Sequence, residues 1–258
     1  MKDKRRRFLL YLIALFLTLT AAILLLIRKP ERVARPPRVF IGKIAIVLDD
    51  WGYSLKNMGI VSQIKTPLTI AVLPGLAYSE KISRDLHQRG FEIILHLPME
   101  PKEKYAMEED TIRTSMDEKR IRRIVAEDIL GLAYVKGASN HMGSMATSDA
   151  NTMEAVFKEL KKRNLFFLDS YVTSQSKCRE VASKLSLRFA KRDVFLDNDN
   201  DPGYIRQQLY KLRDEARING YAIGIGHDRR NTLRVLKEAI PELEKEGYKF
   251  VFVSELAR

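Results

Sequence analysis

From Ile44 onward the chain alternates short apolar runs with longer amphipathic ones. The runs IAIVL (44–48), LTIAVL (68–73), FEIILHL (91–97), YVKGAS (134–139), LFFLD (165–169), VFLD (194–197), YAIGIG (221–226) and KFVFVS (249–254) have strand length and predict strands. Helical periodicity covers 54–65, 78–89, 117–131, 149–163, 176–185, 203–219 and 231–246 between them. Ser148-Asp149 and Asp201-Pro202 read as helix starts, and Gly90, Gly220 and Gly247 as helix stops. Strand–helix alternation repeated in this way means βα units and a parallel sheet. With so many repeats, the pattern favours a closed or nearly closed (β/α) barrel of about seven strands over an open sheet.

The N-terminal pattern is different. Phe8–Ile27 is a run of 20 residues without a charge, preceded by KDKRRR. At 1.5 Å per residue such a helix crosses roughly 30 Å of bilayer core. A cleavable signal would usually have a shorter apolar region and a small-x-small site, and no convincing site follows here. The segment therefore reads as an uncleaved signal anchor, with export after signal cleavage as the alternative. The domain plan is a basic cytoplasmic N-terminus (1–7), a transmembrane anchor (8–27), a linker (28–43) with Pro30, Pro36 and Pro37, and one domain (44–258). The basic N-terminal flank places the domain outside the cytoplasmic membrane.

The formal net charge of +12 does not indicate nucleic acid. Residues 1–43 hold 11 Lys/Arg and 2 Asp/Glu, and the rest of the chain holds 34 and 31, so most of the excess flanks the membrane segment. No basic stripe with interleaved aromatics appears in the domain, and nucleic acid is not an expected partner. The one cysteine, Cys178, excludes an intrachain disulfide and a cysteine-based zinc site.

In βα folds, sites lie at the C-terminal ends of strands. The predicted strands end in Asp49-Asp50, Pro74-Gly75, His96 followed by Glu100, Asn140-His141, Asp169-Ser170, Asp197, and His227-Asp228. Three of the four histidines close strands, and the fourth, His87, reads as a helix-surface residue. Imidazoles beside paired carboxylates suit zinc or a similar divalent metal, with about three protein ligands and one open position. A cation would also let adjacent Asp49 and Asp50 both stay ionised.

These residues resemble the divergent polysaccharide deacetylases, a branch related to the NodB-like carbohydrate esterases. The resemblance covers Lys43 to Leu256 and rests on AIVLDDWGY (45–53), HLPMEP (96–101), GASNHMGS (137–144), FLDS (167–170), VFLD (194–197), AIGIGH (222–227) followed by Thr232, and GYKFVFVSEL (247–256). It implies a distorted NodB-like (β/α) barrel, a divalent metal, zinc first, and removal of N-acetyl groups from an exported polysaccharide or peptidoglycan. On the family pattern Asp49 is the general base, Asp50 a metal ligand and His227 the acid. Glu100 stands where the family has a second metal histidine, and the family's arginine motif is replaced by Asn140-His141. The expected ligands are Asp50, His96 and His141, with Glu100 as alternative third ligand. Trp51, Tyr53, Asn140, Asp169 and Asp197 are the expected substrate contacts. The departures leave a second reading, a membrane-tethered glycan-binding or envelope-assembly protein that keeps the metal with little catalysis.

Overall fold

The computed structural model describes residues 2–26 and 40–258, so the linker expected over 28–43 lies mostly outside the described residues. The chain divides into two units, 1–38 and 39–258. The described residues of the first form one helix, α1 (Lys2–Leu26). Its Lys2–Leu24 stretch, of mean hydropathy 2.2, is long and apolar enough to cross a membrane, and a signal sequence meets the same description.

The described residues of the second unit contain nine strands and seven α-helices, alternating except that β7 follows β6 directly. They run β1 (Gly42–Trp51), α2 (Met58–Val61), β2 (Thr69–Val72), α3 (Ser79–Gln88), β3 (Glu92–Met99), α4 (Glu118–Leu130), β4 (Val135–Met142), α5 (Ala150–Lys162), β5 (Phe166–Asp169), α6 (Cys178–Leu185), β6 (Phe189–Lys191), β7 (Val194–Phe195), α7 (Pro202–Asn219), β8 (Tyr221–His227), α8 (Arg230–Glu246) and β9 (Tyr248–Phe250). Every pairing between these strands is parallel, in the order β6-β5-β4-β3-β2-β1-β8-β7, with β9 added to the start of β1. The sheet curls into a distorted α/β barrel left open at the seam between β6 and β7. This is the fold class the strand–helix repeat predicts.

Local chemistry explains the boundaries. Asp117, Asp149 and Asp201 each accept a backbone N–H three residues on, at 2.7, 2.7 and 2.8 Å, which starts α4, α5 and α7. Pro202 fills the first turn of α7, and Gly220 and Gly247 end α7 and α8 in left-handed conformation. Three expectations shift. The predicted helix at 54–65 shrinks to α2, because the Asn57 side chain is drawn onto Asp228, donating to its carbonyl at 3.2 Å and its carboxylate at 2.8 Å. The strand predicted at 249–254 ends at Phe250, and the chain then turns under the barrel. Strand β6 was not predicted, since FAK is too short to show a period.

Strand faces alternate, so each strand contributes one row outward and one inward. Ile44, Ile46 and Leu48 of β1, Ile93 and Leu95 of β3 and Phe167 of β5 pack outward with Leu86, Phe157, Leu160 and Leu236 of the helices. Ala45 and Val47, Ile94, Phe166 and Leu168, and Ile223 and Ile225 fill the barrel, closed from below by Val251, Val253, Leu256 and Ala257. The inward rows continue upward into polar residues: Asp49 after Val47, His96 after Ile94, His227 after Ile225.

Candidate metal centre

The site is the upper end of those inward rows. Asp49 pairs in register with His227, and His96 with Ser139, so neighbouring strands bring four polar side chains to one level. His141 is one inward step beyond Ser139. Between Leu48 and Trp51, β1 advances three residues while β2 advances two from Ile70 to Val72. This bulge carries Asp50 in left-handed backbone (φ 65°). The extra residue allows two successive carboxylates to face the same side, and aspartate tolerates that conformation better than most residues.

Asp50, His96 and His141 offer ligand atoms all within 4.8 Å of one another. Asp50 Oδ1 lies 3.3 Å from His96 Nε2 and 3.1 Å from His141 Nδ1, and the two ring nitrogens are 3.2 Å apart. Two ligands about 2.0–2.1 Å from a tetrahedral ion are separated by roughly 3.3 Å, so the donor set fits such an ion. Asp49 Oδ2 lies farther out, 3.7 Å from His96 Nε2. Its Oδ1 is buried without a hydrogen-bond partner.

Each imidazole is held from behind. His96 Nδ1 is 2.9 Å from Ser139 Oγ, which leaves Nε2 for the centre. His141 Nε2 faces Glu108 Oε1 at 3.5 Å, and Tyr53 donates its hydroxyl to the same oxygen at 2.8 Å. Glu108 arrives on the excursion between β3 and α4, which is tied back by Ile112 N–H to Pro98 carbonyl at 2.9 Å. Nothing in the spacing of MEED (107–110) marks it, and only its place in the longest strand-to-helix connection could have.

The second half of the site is His227. Asp197 is fully buried; its Oδ1 lies 2.7 Å from His227 Nδ1, and its Oδ2 accepts the Thr232 hydroxyl at 2.6 Å and the His227 N–H at 2.9 Å. Gly226 makes this approach possible: a Cβ there would stand 2.9 Å from the Thr232 methyl. The His227 ring also stacks on Phe195, with centroids 6.1 Å apart, and Arg192 covers the same Phe195 ring at 3.7 Å.

The electrostatics follow. Burial raises the Asp49 carboxyl, against the pull of His96 and His227. Burial also pushes Asp50 up, but hydrogen bonds and charge from His141 and His96 outweigh it and hold that carboxyl well below the usual range. For His227, burial lowers the imidazole and the Asp197 carboxylate more than reverses this, so its pKa stands above the ordinary value. His141 is raised in the same way by Asp50.

The remaining expected site residues lie outside the three-donor set. Glu100 is outside the donor set, its Oε2 accepting Thr114 N–H and hydroxyl at 2.8 Å each. Trp51 is 0% exposed and belongs to the outer core, because β1 resumes its alternation after the bulge; Tyr53 is 55% exposed. Asn140 is a strut, accepting Ser170 N–H at 2.8 Å and donating to Met142 carbonyl at 2.7 Å. Asp169 is buried and spent on Tyr171 N–H (2.7 Å) and Ser176 hydroxyl (2.6 Å). Asp197 stands behind His227. His87 stacks on Tyr134, centroids 3.9 Å apart, away from the site.

The chain is a curled parallel α/β barrel with an Asp-His-His donor set at the C-terminal ends of its strands. The chain belongs to the divergent polysaccharide deacetylase family, whose model matches residues 46–257. It is 36% identical over 205 residues to the uncharacterized protein YibQ of Escherichia coli (strain K12), covering 80% of this chain and 64% of that one. It thus spans somewhat less than two thirds of that relative's length. Among solved structures, an uncharacterized protein from Agrobacterium tumefaciens C58 superposes with a TM-score of 0.80 at 23% identity, over 86% of this chain and 92% of that one. The Bc1960 peptidoglycan N-acetylglucosamine deacetylase gives 0.51 at 14% identity, over 86% and 90%. At these identities the structural likeness is one of fold.

Proposed function

We propose that this chain is a metal-dependent hydrolase that removes N-acetyl groups from an exported glycan, with peptidoglycan as first candidate. One observation carries the proposal: the buried Asp49 carboxylate stands beside a three-donor set and in register with His227, whose imidazole holds a proton more tightly than usual. That is a base, a cation site and an acid around one point. The peptidoglycan choice draws on the substrate class that the Bc1960 deacetylase's name gives.

Asp50, His96 and His141 are the residues that would hold a divalent ion, zinc first. Bound there, it would supply a Lewis acid that polarises the amide carbonyl and acidifies a water. Asp49 takes the proton of the attacking water, a role that suits a carboxyl raised by burial. His227 gives its proton to the amine nitrogen as the C–N bond breaks, and Asp197 fixes the ring so that Nε2 faces the substrate. Glu108 and Ser139 hold the rings of His141 and His96. Tyr53 offers an exposed ring face to a sugar. The N-terminal apolar helix anchors or exports the domain, which then works outside the cytoplasmic membrane.

The test uses the full chain in detergent. Metal content is measured by elemental analysis, and acetate release is measured from peptidoglycan and chitooligosaccharides. About one divalent ion per chain is expected, lost in His96→Ala and His141→Ala. Acetate release should fall about 10²–10⁴-fold in Asp49→Asn with metal retained. Metal-loaded wild type that releases no acetate from either substrate overturns the hydrolase reading and leaves a tethered glycan-binding protein.

A further inference from the structure

The lower end of the barrel, where strands begin, has chemistry that the proposed hydrolysis does not use. At the open seam a groove of about 520 Å³ is bordered by Arg179, Arg188 and Arg258, with Leu187, Phe189 and Tyr221 as apolar walls. Each guanidinium is laid on an aromatic ring: Arg179 on Phe189 at 5.2 Å, Arg188 on Phe166 at 5.9 Å, and Arg258 on Tyr221 at 5.8 Å. Stacking orients the plane of the fork; Arg188 Nη2 donates to the Asn164 carbonyl at 3.3 Å, and the remaining N–H edges can meet an oxyanion. Among the described residues, none of the three arginines makes an ion pair with a carboxylate, whereas Arg84, Arg122, Arg163 and Arg206 do. The acidic side chain on the lining, Asp193, has its Oδ2 engaged by Ile223 N–H at 2.8 Å.

Further basic residues lie at this end of the barrel, together with Glu92, Glu215, Glu246 and Glu255. The segments that lead from each helix into the next strand (62–68, 89–91, 131–134, 163–165, 186–188, 220 and 247) contain Lys65, Arg89, Arg163 and Arg188 and no acidic residue. At the other end, the C-terminal end of β1 carries Asp49 and Asp50, and the connection after β3 carries Glu108. Chain connectivity adds a direction. β1 is entered from this lower end, and its Lys43 pairs in register with Tyr221 of the groove wall. The segment that precedes β1 in sequence is the one that contains the membrane-length apolar helix.

We propose that this lower face is a docking surface for the phosphate headgroups of an anionic bilayer, with the Arg179–Arg188–Arg258 groove taking a lipid phosphodiester. Three arginines without carboxylate partners, at the end of the barrel that β1 enters after the membrane-length helix, match an anionic lipid surface better than they match one small anion. Seated in this way, the barrel turns the strand C-terminal ends away from the lipid. The proposal stands whether or not the upper site hydrolyses anything.

The test reads arginine accessibility in the full chain, reconstituted in nanodiscs of phosphatidylcholine alone or mixed with phosphatidylglycerol. Phenylglyoxal modification is followed residue by residue by mass spectrometry. In the anionic discs Arg179, Arg188 and Arg258 should react about threefold or more slowly than in neutral discs, and high salt should remove the difference. Arg113, on the excursion at the opposite end, should react equally in both. In Arg179→Gln/Arg188→Gln, the anionic-disc protection of Arg258 should disappear. Equal rates for the three arginines in the two discs overturn the proposal, as does full protection in neutral discs by inorganic phosphate alone, which would make the ligand a soluble anion. Protection of Arg258 that persists in the double variant overturns the assignment to the groove.

Discussion

Replacing Asp197 with asparagine keeps the shape of a fully buried side chain but removes the charge 2.7 Å from His227 Nδ1. A charge-assisted hydrogen bond contributes roughly 1.5–3 kcal/mol. At 1.36 kcal/mol per pH unit, the His227 pKa should fall by about one to two pH units in the variant. The sign follows from the direction of both partners. His227 is raised in the folded state, so its stabilising contribution is complete below the unfolded histidine value of 6.5 and fades as pH rises through the folded value. Asp197 is held low by His227 despite burial, so its contribution is complete above 3.8 and fades as pH falls through its folded value. The stability difference between wild type and Asp197→Asn should therefore be greatest between about pH 4 and 6.5 and shrink on either side. The assay is an NMR titration of metal-free full chain with labelled histidine rings. The chain has four histidines, so four ring signals are expected, and the His227 signal is assigned by its loss in His227→Gln. A His227 signal in Asp197→Asn that titrates at the wild-type value would refute the claim that Asp197 sets the proton affinity of the acid.

Three further outcomes are expected. Glu108→Gln should weaken zinc binding about 10–100-fold, as loss of a histidine-orienting carboxylate does, whereas Glu100→Gln should leave it unchanged; isothermal titration with zinc compares them. Asp128, near the end of α4, has a buried unpaired Oδ2, and burial, helped by Asp110 and Glu127, raises its carboxyl to about 7. An acid raised on folding costs stability as pH climbs from its unfolded value through its folded one, so Asp128→Asn should raise the melting temperature at pH 8 and change it little at pH 4. Trp51→Ala should cost about 3–5 kcal/mol of stability in chemical denaturation, the cost of an emptied core position, because Trp51 is core and not a sugar platform.

The strand-end arithmetic explains why so much of the site was legible. A parallel barrel puts strand C-terminal ends at one rim, so Asp49, His96, His141 and His227 could be assembled from their positions after apolar runs, without any contact being known. Alternation carried them further, since each follows the inward row of its own strand. The failures have equally specific causes. Trp51 and Asp169 also lie beside strand ends, but side-chain direction depends on the bulge in β1 and on the Ser176 turn after β5, and neither leaves a period in the sequence.

The sequence by itself determined the alternation of elements, the apolar helix at the N-terminus, and the rim on which the polar residues gather, because these depend on local periodicity and chain order. Only the tertiary structure decided that Asp49 and Asp50 face the same side, that His141 and not Glu100 joins Asp50 and His96, that Glu108 backs His141, and that unpaired arginines meet at the opposite end. Each of these depends on a register shift or on a loop folding back from afar. Such contacts are set by how strands pair in space, which no single stretch of sequence encodes.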